Sequence, residues 1–146
     1  MYKHLLIAID GSDLAQKAMQ QGLELAKAIG AKVTLVNVMP PWSSIAVGEV
    51  AVMFPPEEYE ANMKAASKQL SDKALDAAKA AGVAATSVAA TDPHPYKAIL
   101  QAAADQGCDL IVMGSHGRRG IAGLLIGSET MKTLTHGNIP VLVYRE

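Results

Sequence analysis

Short apolar runs alternate with longer segments of helical period along the whole chain, and this alternation limits the possible folds more than any other feature. KHLLIAI (3–9), KVTLVNV (32–38), the weaker run over 83–90, DLIVMG (109–114) and IPVLVYR (139–145) read as strands. Between the first two, Ala15, Ala18, Met19, Leu23, Leu25, Ala26 and Ile29 recur mostly at spacings of three and four, which predicts a helix over 14–29 stopped by Gly30. Residues 57–81 are rich in Ala, Lys and Glu and read as a long helix ended by Gly82; further helices are expected over 95–106, before Gly107, and near 128–136. The stretch 39–56, bounded by proline pairs and without one clear period, reads as a loop or partly ordered lid. Strands joined by helical crossovers give a parallel sheet covered on both faces, because such connections are almost always right-handed and return to the same sheet. Five strands in this pattern predict an α/β, flavodoxin-like doubly wound domain over residues 1–146 with strand order 3-2-1-4-5.

Half of the 146 residues are hydrophobic, enough to bury a core without disulfide or metal support. The single Cys108 has no partner for an internal disulfide, and its place beside an apolar run suits a buried, inert thiol in a reducing compartment. Lys3 and His4 precede an apolar stretch too short for a signal peptide, and no run approaches the length of a membrane span, so a cytoplasmic protein is expected. The formal net charge of −1, with scattered basic residues, lacks the footprint of a nucleic-acid binder. His4, His94 and His136 have no ligand-like spacing to Cys or carboxylates, so no structural zinc is expected.

In sheets of this kind ligands bind beyond the carboxyl ends of the strands where strand order reverses, which directs attention to the ends of strands one and four. Strand one runs into Asp10-Gly11-Ser12-Asp13. Asp10 is placed to bond a ribose hydroxyl or assist a metal on phosphates, against a plain capping role; Ser12 and Asp13 read as helix caps. Strand four ends in Met113-Gly114-Ser115-His116-Gly117-Arg118-Arg119-Gly120, and Gly127-Ser128 opens the next helix. Glycines let backbone amides approach a phosphate without a side chain in the way and accept positive φ, while the helix N-terminus adds unsatisfied donors and the positive end of the dipole. His116 offers its backbone more securely than its ring. Of Arg118 and Arg119, both suited to phosphates, at least one is expected to point into water. Neither a Walker A lysine motif nor GxGxxG is present, so a P-loop ATPase and a Rossmann dehydrogenase are not supported.

Gly114, Gly117, Gly127 and Ser128 match in residue and spacing the G-x2-G-x9-G-[ST] pattern of the universal stress protein family, which the chain resembles throughout, from Asp10-Gly11-Ser12 and the VNV strand to DLIVMGSHG and the closing PVLVYR. The resemblance implies the adenine-nucleotide α-hydrolase-like form of this fold and an adenine nucleotide: ATP, with AMP or ADP as alternatives and Mg²⁺ as a possible companion. It implies adenine contacts to the backbone at Val38, ribose near Asp10 and Gly114, and phosphates at the amides of Gly117, Gly127, Ser128 and Glu129, with Met113, His116 and Arg118 in the same site. Glu129 stands where the family often has a small apolar residue, and a carboxylate facing the phosphates would repel them.

Three functions compete on these residues. A nucleotide-binding regulatory module, whose occupancy is read by a protein partner in a stress response, needs no catalytic set. A slow ATPase or phosphoryl transferase needs a positioned base, for which only Asp10 and His116 are candidates. A phosphorylation-controlled receiver would leave the glycine loop after strand four unexplained. Binding is the reading the residues favour. The apolar strand over 140–145 is expected at a sheet edge and predicts a homodimer through it, as the family resemblance also implies.

Overall fold

The computed structural model describes residues 1–48, 53, 55–117 and 126–146. Among the described residues ten elements follow one another: β1 (His4–Ala8), α1 (Asp13–Ile29), β2 (Lys32–Met39), α2 (Trp42–Ile45), α3 (Pro56–Ala81), β3 (Ala85–Thr91), α4 (Pro95–Gln106), β4 (Leu110–Gly114), α5 (Ser128–His136) and β5 (Val141–Tyr144). The strands form one parallel sheet in the order β3-β2-β1-β4-β5, the order expected from the alternation of runs. β1 and β4 at its centre are covered on both faces, which is why HLLIA and LIVMG are continuous apolar runs rather than alternating ones.

Successive side chains of β1 enter opposite layers. Leu5 and Ile7 pack with Met19, Leu23 and Ala26 of α1 and Ala74 and Ala78 of α3, whereas Leu6 packs with Ile99, Ala102 and Ala103 of α4 and with Met113. The C-terminal end of α3 is closed by its own main chain. At Gly82, φ is 76°; its N–H donates to Lys79 O and the next N–H, of Val83, to Ala78 O at 2.9 Å, so Val83 completes a helix C-cap instead of opening a strand. The third strand therefore begins at Ala85, later than the run over 83–90 suggested. The expected loop over 39–56 is also revised: Trp42–Ile45 forms one helical turn, too short to show a period, and α3 starts at Pro56, while 49–52 and 54 lie outside the described residues.

At the amino end of the sheet a polar set is paired internally. The Asp109 carboxylate accepts the N–H of Lys3 at 2.9 Å and of His4 at 3.0 Å, and buried His4 meets the Thr34 hydroxyl at 2.8 Å, which in turn lies 3.3 Å from that of Thr86. Burial, reinforced by the Lys32 ammonium, holds the His4 imidazole below its ordinary pKa. Among the described residues no helix is long and apolar enough to cross a membrane.

Candidate functional site

The strand-order reversal lies between β1 and β4, and both expected segments meet there. β1 gives up its pairing with β2 at Ile9, whose N–H donates to Val36 O at 2.9 Å. The chain then turns at Asp10-Gly11, where Gly11 takes φ 81° and Asp10 Oδ1 accepts the N–H of Ser12 at 2.9 Å. Ser12 Oγ accepts the N–H of Ala15 at 3.2 Å, so Ser12 is the cap of α1, as expected, and Asp13 is the acidic residue of its first turn. The Asp10 carboxylate thus shapes the turn rather than capping the helix.

Early departure of β1 leaves β2 projecting. Lys32 N–H bonds Lys3 O and Val36 O bonds Ile9 N–H, whereas Val33 N–H bonds Ala84 O and Met39 O bonds Asp92 N–H. Even-numbered residues of β2 therefore face β1 with their main chain and odd-numbered ones face β3. By this alternation Val38 directs its N–H and C=O to the side that β1 has vacated. Its half-buried side chain packs on the α4 layer, where Met113 is also buried, 6% exposed.

On the other side of the crevice the glycines are held together by main-chain contacts. The Gly114 carbonyl accepts the Thr130 hydroxyl at 3.0 Å. Ser115, which is buried, donates its N–H to Tyr144 O at 2.8 Å and accepts the N–H of Gly127 at 2.6 Å, so one residue ties the end of β5 to the start of α5. A Cβ on Gly127 would lie 3.1 Å from His116 Cα and from Ser115 O, and one on Gly114 would lie 3.2 Å from His116 O. A Cβ on Gly117 would lie 2.6 Å from Asp10 Oδ2, which places the loop after β4 directly against the turn after β1. Gly117 is not among the glycines of positive φ, so the backbone angle expected from the sequence is not what calls for glycine there; an added Cβ would press on the end of the Asp10 side chain.

Gly127 is the N-cap of α5, with extended φ of −69° and ψ of 160°, and no side chain caps the helix among the described residues. The first-turn amides of Ser128 and Glu129 therefore point into this corner with the positive end of the helix dipole. The Glu129 carboxylate accepts the N–H of Tyr96 at 3.0 Å and pairs with the Lys132 ammonium at 3.1 Å, so its charge is engaged by α4 and a neighbouring cation. His116 is half-buried, with Nδ1 3.3 Å from Ser115 Oγ. It and Gly117 also border a shallow polar depression of about 500 Å³ on the α1 side, lined by Ser12, Lys17 and Glu146; Val38 and Gly127 are not part of it, so it adjoins the crevice rather than being the crevice. Arg118 and Arg119 lie outside the described residues.

Sequence reasoning did not single out Thr130, Ser115 as a bridge, or the engagement of Glu129. One signal was available: Thr130 and Thr133 stand at i, i+3 on the inward face of a short helix, 2% and 0% exposed, and a buried hydroxyl has to find an acceptor. Thr130 finds Gly114 O and Thr133 finds Glu129 O.

The fold and this corner define a doubly wound α/β protein with a glycine-built corner at its strand-order reversal. The sequence profile of the universal stress protein family matches residues 1–145, and the chain belongs to that family. Universal stress protein YxiE of Bacillus subtilis is 30% identical over 149 residues, covering 99% of this chain and all of that protein. Among solved structures, hypothetical protein MJ0577 superposes with a TM-score of 0.81 at 27% identity, covering 100% of this chain and 97% of that one. A universal stress protein in complex with cAMP superposes with a TM-score of 0.72 at 25% identity, covering 99% and 97%.

Proposed function

We propose that this protein binds an adenine nucleotide, ATP foremost, in the crevice between β1 and β4, and acts as a regulatory binding module in a stress response. The observation that carries the proposal is the convergence of Asp10, Gly114–Gly117 and the uncapped start of α5 on one corner of the sheet, beside the projecting main chain of Val38. In this reading Val38 offers one donor and one acceptor to the adenine edge, Asp10 and Gly114 lie along the ribose, and the amides of Gly117, Gly127, Ser128 and Glu129 receive phosphate oxygens. Met113 underlies the base from the α4 layer, and His116 contributes main chain. Arg118 is assigned to the phosphates from the sequence alone. The cAMP held by a relative of the same fold supports an adenine nucleotide as the ligand class.

The residues also suit Mg²⁺ only as a companion of the phosphates. A hard cation takes oxygen ligands, and no group of three or more His, Cys, Asp or Glu gathers among the described residues, so the phosphates would supply most of its shell, with Asp10 nearby. Binding is favoured over hydrolysis because it needs no positioned base, and the two candidates serve locally in the structure: Asp10 Oδ1 holds Ser12 N–H in the turn and the His116 ring lies against Ser115 Oγ. The reading extends to a cytoplasmic homodimer joined through 140–145: β5 is an edge strand whose Leu142 is 43% exposed, and a second copy would cover both that side chain and the open ladder. A further protein that reads the occupied state completes the regulatory role.

The test is to denature the purified protein, identify released small molecules by mass spectrometry, and titrate ATP calorimetrically into nucleotide-stripped protein. Co-purified adenine nucleotide, or saturable micromolar binding, is expected. No carried nucleotide together with no heat from ATP, ADP or AMP overturns the proposal.

A further inference from the structure

Glu129 stands at the second position of α5, where its backbone N–H faces the crevice while its side chain leaves toward α4. Along one face of α5, Glu129, Lys132 and His136 follow at i, i+3 and i+7, and all three meet Tyr96. Glu129 Oε2 accepts the Tyr96 N–H at 3.0 Å, Oε1 pairs with Lys132 at 3.1 Å, the Lys132 ammonium lies 5.6 Å from the centre of the Tyr96 ring, and that ring lies 5.2 Å from His136. Tyr96 is in the first turn of α4, whose N-cap residue His94 supplies no side-chain acceptor. The acceptor that α4 lacks locally thus comes from another helix. The second tether of the same turn of α5 is Thr130, bonded to Gly114 O. Two tethers on adjacent residues, one to β4 and one to α4, fix both the axis and the rotation of α5.

We propose that Glu129 is a positioning residue for the phosphate-binding turn: by capping α4 it sets the rotation of α5 that aims the Ser128 and Glu129 amides into the crevice. This rests on the nucleotide-binding reading above. It also inverts the expectation raised by the sequence, because the carboxylate supports phosphate binding through its contact with α4 instead of opposing it through charge. A ligand without phosphate makes no use of these amides, so the contribution of Glu129 is confined to phosphate-bearing ligands.

The test compares ATP and adenosine binding to the wild type, Glu129→Ala and Glu129→Gln, with amide hydrogen exchange of the nucleotide-free proteins. Removing the side chain is expected to weaken ATP about tenfold, equivalent to about 1.4 kcal/mol, with a much smaller change for adenosine. Gln keeps an acceptor for Tyr96 N–H without the charge and is expected to restore most of the ATP affinity. Exchange at Tyr96 and over 128–130 is expected to quicken in the Ala variant and to return toward wild type in the Gln variant. Tighter ATP binding by both variants means that charge repulsion dominates and overturns the proposal; so does unaltered exchange at those amides in the Ala variant. Should wild type bind no nucleotide, the function fails, while the exchange measurement still decides whether Glu129 positions α5.

Discussion

The two ends of the sheet treat their polar groups in opposite ways. At the amino end, the N–H groups of Lys3 and His4 are taken by Asp109, and the His4 ring and the Thr34 and Thr86 hydroxyls satisfy one another. At the carboxyl end, β2 outruns β1 at Val38, α5 begins at a glycine without a side-chain cap, and Gly117 presents bare main chain against Asp10. Internal pairing closes the first end and serves stability, since a buried polar group without a partner costs free energy. In the proposed function, the second end offers donors and acceptors to a nucleotide. The proposed function thus falls where the strands stop at different heights.

The largest effect that separates the two ends is expected from Gly117→Val. Even a Cβ would lie 2.6 Å from Asp10 Oδ2, so a branched side chain displaces the Asp10 carboxylate and fills the space between the two loops. Losing two charge-assisted hydrogen bonds would lower ATP affinity by more than about a hundredfold. Thermal melts of the variant should stay close to wild type, because Gly117 is exposed. A variant that binds ATP as well as wild type would remove the loop from the site.

The converse is expected of Thr34→Val at the amino end. The volume is nearly kept, yet fully buried Thr34 leaves behind a His4 ring without its partner, which should cost about 1–3 kcal/mol in urea unfolding and leave ATP affinity unchanged. An equal loss of ATP affinity would show that the two ends are not independent.

A smaller effect concerns pH. Because the folded-state pKa of His4 is held below the ordinary 6.5, the unfolded chain binds the more protons between those two values. The contribution of His4 is therefore fully present above about pH 6.5 and is lost as pH falls toward the folded-state pKa. Urea midpoints should drop on going from neutral pH to mildly acidic pH, and that part of the drop should vanish in His4→Gln. Persistence of the full slope in the variant would assign it to another group.

Much of this contrast was legible in the sequence. The five apolar runs predict the sheet and its strand order, and the glycine spacing marks the loop after strand four and the start of the next helix, because hydrophobic period and glycine position are local signals. Less legible were features that depend on contacts distant in sequence. Nothing local shows that Glu129 caps a helix through Tyr96, or that Gly117 abuts the Asp10 carboxylate without taking a positive φ. Val83 looks like strand in one dimension and is the end of a helix cap in three. The single turn at Trp42–Ile45 is too short for any periodicity to reveal.

The division of labour between the two ends is tested most directly by following backbone amide resonances while ATP is added to the nucleotide-stripped protein. Shifts are expected at Val38, at Asp10 to Ser12, over 114–117 and over 127–129, with Lys3, His4 and Asp109 unmoved. Shifts centred on Lys3, His4 and Asp109, or none at the carboxyl end at saturating ATP, would contradict it.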